Sequence, residues 1–467
     1  MAQYIKPQDT QDGEQRYEVM MLASGKDGAV VEATNPLPVT LGSETIEITG
    51  PVTIPGNVEI NNDTGNPIPV SANTTVNSNT NPIFVQGTSD TSFFAPTQSD
   101  AFGRLRVSNP RTLFDSSFRY SDNGSFSTDT SGSGTASFNS TGSTIDMTVT
   151  GNGDEVIRES KRVFPYQPGK SLLILTTFTM QDPVANLRQR VGYFGANNGI
   201  FLEVDGETAY IVKRNNGTDT RVAQDSWSEN TLASLALDKS QILFIDVEWL
   251  GVGTVRVGFV INGEFIVAHK FHHANLGDLT YMQTAILPVR YEITSTGAAG
   301  TLHQICASVI SEGGYEGSSK NYIATNAPTA GVDLGTAGTL TPLISIRLKS
   351  SQLDAIILPA LLEIISFSNQ EAKYQLILNG SLTGASFSDH PTSQVQVDTS
   401  ASSISGGEII KQGFIIGGGQ INLGTAQNFN FQLGRELDGT SDILTIAALG
   451  YSNNVKIVST LGWFQLT

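Results

Sequence analysis

Few side chains in this sequence have types and spacings that could do chemistry. His269, His272 and His273 stand in Ala268-His-Lys-Phe-His-His-Ala274, a cluster that could be tested as a metal site. On a strand His269 and His273 share one face while His272 points the other way, so three ligands on one tetrahedral ion would need a turn here. These residues read first as structural or surface histidines and only second as metal ligands. Asp246 and Glu248, two apart on one strand, could imitate the paired carboxylates of a glycosidase, and two acids on a solvent face is the simpler reading. Glu203, Asp205 and Glu207 could offer oxygen ligands to calcium, but without the spacing of an EF-hand loop. Cys306 is alone among apolar neighbours, which reads as a strand residue packed inward. A weak ligand-binding set, Tyr193, Asn197, Asn198 and Tyr210, offers rings to stack on a sugar and amides to fix its hydroxyls, if those residues lie on exposed loops. Nucleophile-elbow, phosphate-loop, His-Glu-x-x-His and dinucleotide motifs do not occur, and no catalytic residue or cofactor is expected.

The elements that must position these groups are strands. Charged residues make up 15% of the 467, and 47 glycines punctuate the chain, a composition that suits short strands and tight turns better than charged amphipathic helices. Runs such as Ser171-Leu-Leu-Ile-Leu-Thr-Thr-Phe178 and Gln241-Ile-Leu-Phe-Ile-Asp-Val-Glu-Trp249 are β-branched and bounded by turn residues. Val204-Asp205-Gly206-Glu207 and Ile261-Asn262-Gly263-Glu264 place Asp-Gly and Asn-Gly where a type I′ hairpin needs positive φ twice. Ser226 to Leu237, with a serine cap and Leu232, Leu235 and Ala236 on one face, predicts a short helix.

Ahead of these strands, Asn35-Pro-Leu-Pro-Val39 recurs as Asn66-Pro-Ile-Pro-Val70 and, once altered, as Asn81-Pro-Ile-Phe-Val85. Proline gives no N–H to a ladder, and the one-sided strands Thr45–Thr49 and Asn57–Asn61 must hide their isoleucines against something. Sibling copies wound round a common axis are the simplest partner, which predicts a homotrimeric stem; a Pro/Asn/Thr-rich linker is the alternative. The expected fold is all-β: an intertwined trimeric β stem followed by two antiparallel β-sandwich or jelly-roll domains. The expected organisation is a docking segment over 1–34, the stem over 35–98, a central sandwich over 99–325, a linker over 326–341 and a C-terminal sandwich over 342–467.

The formal charge of -17 repels phosphate backbones and anionic lipid, so nucleic acid and membrane are not expected partners. The N-terminus lacks the basic and apolar regions of a secretory signal, so synthesis in a cytoplasm is expected.

Three stretches carry a resemblance. Asp100-Ala-Phe-Gly-Arg-Leu-Arg-Val-Ser-Asn-Pro-Arg-Thr-Leu-Phe-Asp-Ser116, Gly192-Tyr-Phe-Gly-Ala-Asn-Asn-Gly-Ile-Phe-Leu-Glu203 and the longer Asp246 to Phe265 resemble a family of virion structural proteins of tailed bacteriophages, common among marine and cyanobacterial phages. What the resemblance implies, over residues 99–325, is a fibre-like virion component made in the host bacterium and then built into the particle, with no catalytic residues to carry over. The expected partners are sibling copies, other virion proteins through residues 1–34 and, in an adhesive role, a host-surface glycan. A capsid-decoration, collar or baseplate connector protein is the architectural alternative, and a polysaccharide-degrading spike the enzymatic one.

Overall fold

The computed structural model describes residues 7–9, 15–17, 110–314, 319–367, 369–424 and 432–466. The chain divides into two units, Met1–Ile83 and Phe84–Thr467. Within the first, Pro7–Asp9 pairs antiparallel with Gln15–Tyr17. The predicted stem over 35–98 lies outside the described residues, as does most of the docking segment.

The all-β expectation holds. Among the described residues every regular element is a strand apart from one 3-10 turn at Gln224–Ser226, and no helix is long and apolar enough to cross a membrane. The central sandwich is built from two antiparallel sheets. One has seven strands, in spatial order Thr218–Ala223, Thr208–Asn215, Gly199–Asp205, Leu187–Phe194, Val289–Ser295, Glu155–Ser160 and Phe126–Ser131. The other has eight: Glu264–Phe271, Val255–Ile261, Gln241–Val247, Leu172–Thr179, Gly300–Ser311, Thr144–Val149 and Thr135–Asn139, with Arg111–Ser117 also on Gly300–Ser311. Period-2 alternation drives apolar side chains of both sheets inward: Val191, Ile200, Leu202, Ile211 and Ile293 meet Ile174, Phe178, Ile245, Val257 and Leu302 in one continuous core.

The hairpins follow turn chemistry, with one register correction. Ile261 pairs with Glu264 across Asn262 and Gly263, whose φ values of 54° and 84° are the double positive φ of a type I′ turn. In the other hairpin Asp205 pairs with Thr208, so the central residues are Gly206 and Glu207 rather than Asp205 and Gly206. Only Gly206 has positive φ, the signature of type II′. The predicted helix over 226–237 does not form. Leu232 takes φ +48° and its N–H donates to Asn230 Oδ1, while Trp227, Leu232 and Leu237 all turn into the core, so the segment folds as irregular chain held by burial.

The boundary between the sandwiches also moves. Ser319–Asn326 pairs along its length with Lys456–Leu466, and Val332–Asp333 pairs with the same strand. The central sandwich therefore ends with Gly300–Ser311, and the expected linker contributes to the C-terminal sandwich, where Leu334 is buried. That sandwich packs a five-stranded sheet around Ile356–Ser366 and Lys456–Leu466 against a six-stranded sheet around Thr341–Leu348, Ile443–Gly450 and Ala372–Leu378. Gly417 to Gly419 marks where the chain changes sheets: Glu408–Ile415 pairs in the six-stranded sheet and Gln420–Gly424 in the five-stranded one.

Candidate functional site

The residues singled out from sequence do not converge. Tyr193, expected on an exposed loop, is fully buried, with its hydroxyl 2.6 Å from both Phe164 O and Ala285 O and accepting from Leu287 N at 3.2 Å. Asn198 is buried too, and its Oδ1 accepts from Asn216 N at 3.3 Å and Gln283 N at 3.2 Å, pinning two loops together. Asn197 is exposed, and Tyr210 is half-buried beneath the Arg221 guanidinium at 4.0 Å. Alternation put Tyr193 on the inward face of its strand, where a ring fills core and its hydroxyl must find buried partners.

The histidines separate as well. His269 Nδ1 accepts from Ser228 N at 3.1 Å, and exposed His272 meets Thr254 Oγ1 at 3.2 Å. His273 stacks on Tyr281 with centroids 3.7 Å apart, donates from Nδ1 to Gly253 O at 2.7 Å, and accepts from Lys213 Nζ at 3.2 Å through Nε2. Burial, with Lys213 and His272 adding to it, outweighs the Gly253 hydrogen bond and brings the His273 pKa down to about 4. Among the described residues no group of His, Cys, Asp and Glu is arranged to hold a metal ion. Asp246 pairs with Arg256 at 2.9 Å, while Glu248 lies past the end of the strand and is buried, not on a solvent face. Cys306 is half-buried, and burial pushes its thiol up, away from the reactive range.

What sequence reading missed is on the outward face of the seven-stranded sheet. Strand pairing sets Glu203, Arg190 and Glu292 side by side across three strands, and Phe201, Gly192, Arg290 and Glu159 side by side across four. Arg190 reaches Glu203 at 2.6 Å and Glu292 at 3.0 Å; Arg290 reaches Glu292 at 3.0 Å and Glu159 at 2.9 Å. At the far edge Arg221 bridges Glu203 and Asp205, and Arg214 holds Asp219 at 2.7 Å. The two oxygens of Glu203 and that of Asp205 thus sit on guanidiniums, which removes the calcium reading. A Cβ at Gly192 would lie 2.6 Å from Ile200 O and 2.7 Å from Phe201 Cα, so only glycine fits beneath the Phe194 and Phe201 rings, which meet at 4.3 Å.

Burial pushes the Glu292 carboxyl up, but the charges of Arg290, Arg190 and Arg188 outweigh it and keep it below its ordinary value. The lattice then leaves the central sandwich: Arg435, from the C-terminal sandwich, pairs with Glu159, its N–H donates to Lys161 O at 2.9 Å, Lys161 Nζ meets Glu436 at 2.7 Å, and Leu437 N donates to Ser127 Oγ at 2.9 Å. The alternation of Arg188 and Arg190 with core residues is the sequence signal from which this face could have been found.

No family model matches the chain, and no curated protein matches it. Solved structures similar in part include a β-glucanase of Bacillus licheniformis (10% identity, TM-score 0.30, covering 42% of this chain and 96% of that one). A structure titled for endo-acting O-glycanases of the human gut microbiota has 11% identity and a TM-score of 0.33, covering 43% and 99%. Lectin I-B4 of Griffonia simplicifolia has 13% identity and a TM-score of 0.27, covering 43% and 98%. Likenesses of this size bring no function to this chain.

Proposed function

We propose that the protein is a structural component of a tailed-phage virion, a homotrimeric fibre or spike held to the particle through residues 1–34 and serving host-surface adhesion. The observation that carries this reading is the ion-pair lattice that crosses from one sandwich to the other through Arg435. An appendage must hold its folded parts in fixed orientation while loaded from outside. A buried lattice of paired guanidiniums and carboxylates resists separation, because removing either partner strands a charge. The stretches that resemble virion proteins have scaffold roles that suit this: Gly192 to Glu203 forms most of a hairpin under the Phe194 and Phe201 rings, and Asp246 to Phe265 spans paired strands.

The architectural alternative, a connector that binds only virion proteins, differs in where the outer surfaces end. A polysaccharide-degrading spike has less support. Hydrolysis needs one carboxyl kept protonated as general acid. At Glu292, the centre of the lattice, the guanidiniums favour the opposite charge state.

Cryo-EM reconstruction of the parent particle tests the assignment. Copies on a tail or fibre position with a free outer domain support adhesion; copies buried among capsid or tail proteins support the connector; absence from the particle overturns both. Sedimentation of the intact chain beside one starting at Ser99 tests the trimer, and a monomeric intact chain overturns the stem argument.

A further inference from the structure

The outward face of the six-stranded sheet in the C-terminal sandwich is partly roofed by a small two-stranded ribbon. Ser381–Thr383 pairs with Ser403–Ser405, and Ile404 and Leu382 seal against Ile377 and Ala447 beneath. Beside this roof lies a cavity of about 480 Å3, within the range of small-molecule sites. Its floor is Arg347 and Ile443, direct neighbours on paired strands, and its walls include Ser381, Leu382, Ala385 and Phe387.

Arg347 is held as a preformed fork. Its Nε donates to Gln396 Oε1 at 2.8 Å and its guanidinium lies 4.1 Å over the Phe387 ring, which fixes the plane of the group. Its Nη donors make no hydrogen bond or ion pair with any described residue. Two carboxylates beside it in the strand register are occupied elsewhere: Asp442 accepts from Asn379 Nδ2 and Gly434 N, both at 2.8 Å, and Asp389 accepts from Gln396 Nε2 at 2.9 Å and lies 3.8 Å from Lys349 Nζ. A half-buried guanidinium with open donors facing a cavity is a site for an anion, and paired N–H groups match a carboxylate.

The surroundings select the kind of anion. One guanidinium, with Asp442 and Asp389 on the flanking strands and in a chain of net charge -17, has field enough for a single negative charge but opposes a dianion or a polyanion. Ile443, Leu382 and Ala385 offer apolar surface to the C–H face of a ring, while the exposed Ser381 can exchange a hydrogen bond with a hydroxyl. We propose that this cavity binds the carboxylate of an acidic sugar, with Arg347 as the carboxylate clamp. The site goes beyond the virion reading and stands whether or not the protein is found on a particle.

The test is titration calorimetry of the full chain with glucuronate, galacturonate and N-acetylneuraminate, beside galactose, the methyl ester of galacturonate and galactose 6-phosphate. At least one free acid should bind tenfold or more tightly than the neutral sugar and the ester. Arg347→Gln should abolish that binding and Arg347→Lys weaken it about tenfold. Ser381→Asp, an exposed change that adds a competing carboxylate, should also abolish it, with melting temperature unchanged. Binding of none of the three acids, equal binding of acid and ester, or binding that survives Arg347→Gln overturns the site. Tighter binding of the sugar phosphate overturns the monoanion assignment.

Discussion

Replacing Tyr193 by Phe removes one oxygen atom from the core of the central sandwich and leaves the ring in place. Tyr193 has no exposed surface, and its hydroxyl lies between the carbonyls of Phe164 and Ala285 while accepting from Leu287 N. The hydroxyl has one proton, so the loss is one donated and one accepted hydrogen bond. Each is worth about 1 kcal/mol net, and a buried group left without a partner costs about 1–3 kcal/mol. Because the phenyl ring keeps its packing, no cavity term of the large-to-small kind is added. The sum is a destabilisation of about 2–4 kcal/mol, which at 2–4 °C per kcal/mol for a sandwich of this size lowers the melting temperature by about 4–16 °C. Urea unfolding followed by the fluorescence of Trp227 and Trp249, both in this sandwich, reads the change directly. Binding of acidic sugar should be untouched. A loss under about 0.5 kcal/mol would refute the reasoning, showing that water or a shift of the Phe164 and Ala285 carbonyls satisfies these groups at no cost. An altered sugar affinity would return Tyr193 to the ligand-binding set.

Other perturbations reach different parts of the structure. Arg435→Ala should cost about 2 kcal/mol, less than the 3–5 typical of a broken buried pair because Arg290 still holds Glu159, and should split thermal unfolding into two resolved transitions in calorimetry; a single unshifted transition would count against the lattice. His273, at about 4 when folded against 6.5 when free, stays neutral while the unfolded chain takes up a proton, so its contribution is whole above pH 6.5 and is lost as pH falls towards 4. His273→Gln should therefore give a shallower fall in urea midpoint between pH 7 and pH 4.5 than the wild type, and equal slopes would refute the assignment. Gly253→Ala should cost about 3 kcal/mol, since its Cβ would stand 1.7 Å from Glu248 O, and its expression as soluble protein with native circular dichroism would show that the loop can open.

How much was legible follows from which forces are local. Asn262-Gly263 announced its turn because positive φ is a property of two residues, and Asn216-Gly217, with φ of 49° and 77°, carried the same unread signal. The Asp205-Gly206 register slipped by one because two turn types share that dipeptide and the pairing of Asp205 with Thr208 decides between them. The segment from Ser226 to Leu237 has helical spacing, yet three of its side chains are needed at separate points of the core, and burial outranks propensity. Leu187–Phe194 hid its role most fully. Both of its faces are covered, one by the apolar core and one by the arginine lattice; alternation marks Arg188 and Arg190 as one face, but the partners Glu203, Glu292 and Phe201 come from strand pairing that no local pattern carries.

The pairing of Ser319–Asn326 with Lys456–Leu466 has a kinetic consequence. Ser319 lies opposite Leu466, well over a hundred positions away, and the same strand must also align with Ile356–Ser366. A sandwich whose central strand joins its two ends in sequence has high contact order, and loop closure must be met before any of that pairing rewards it. On the ribosome, the central sandwich can form while the second waits for its closing strand. During that wait Leu362 and Ile364, whose strand pairs with the closing one, have no partner to complete their sheet, so this is the interval in which the chain is most open to aggregation and to capture by chaperones.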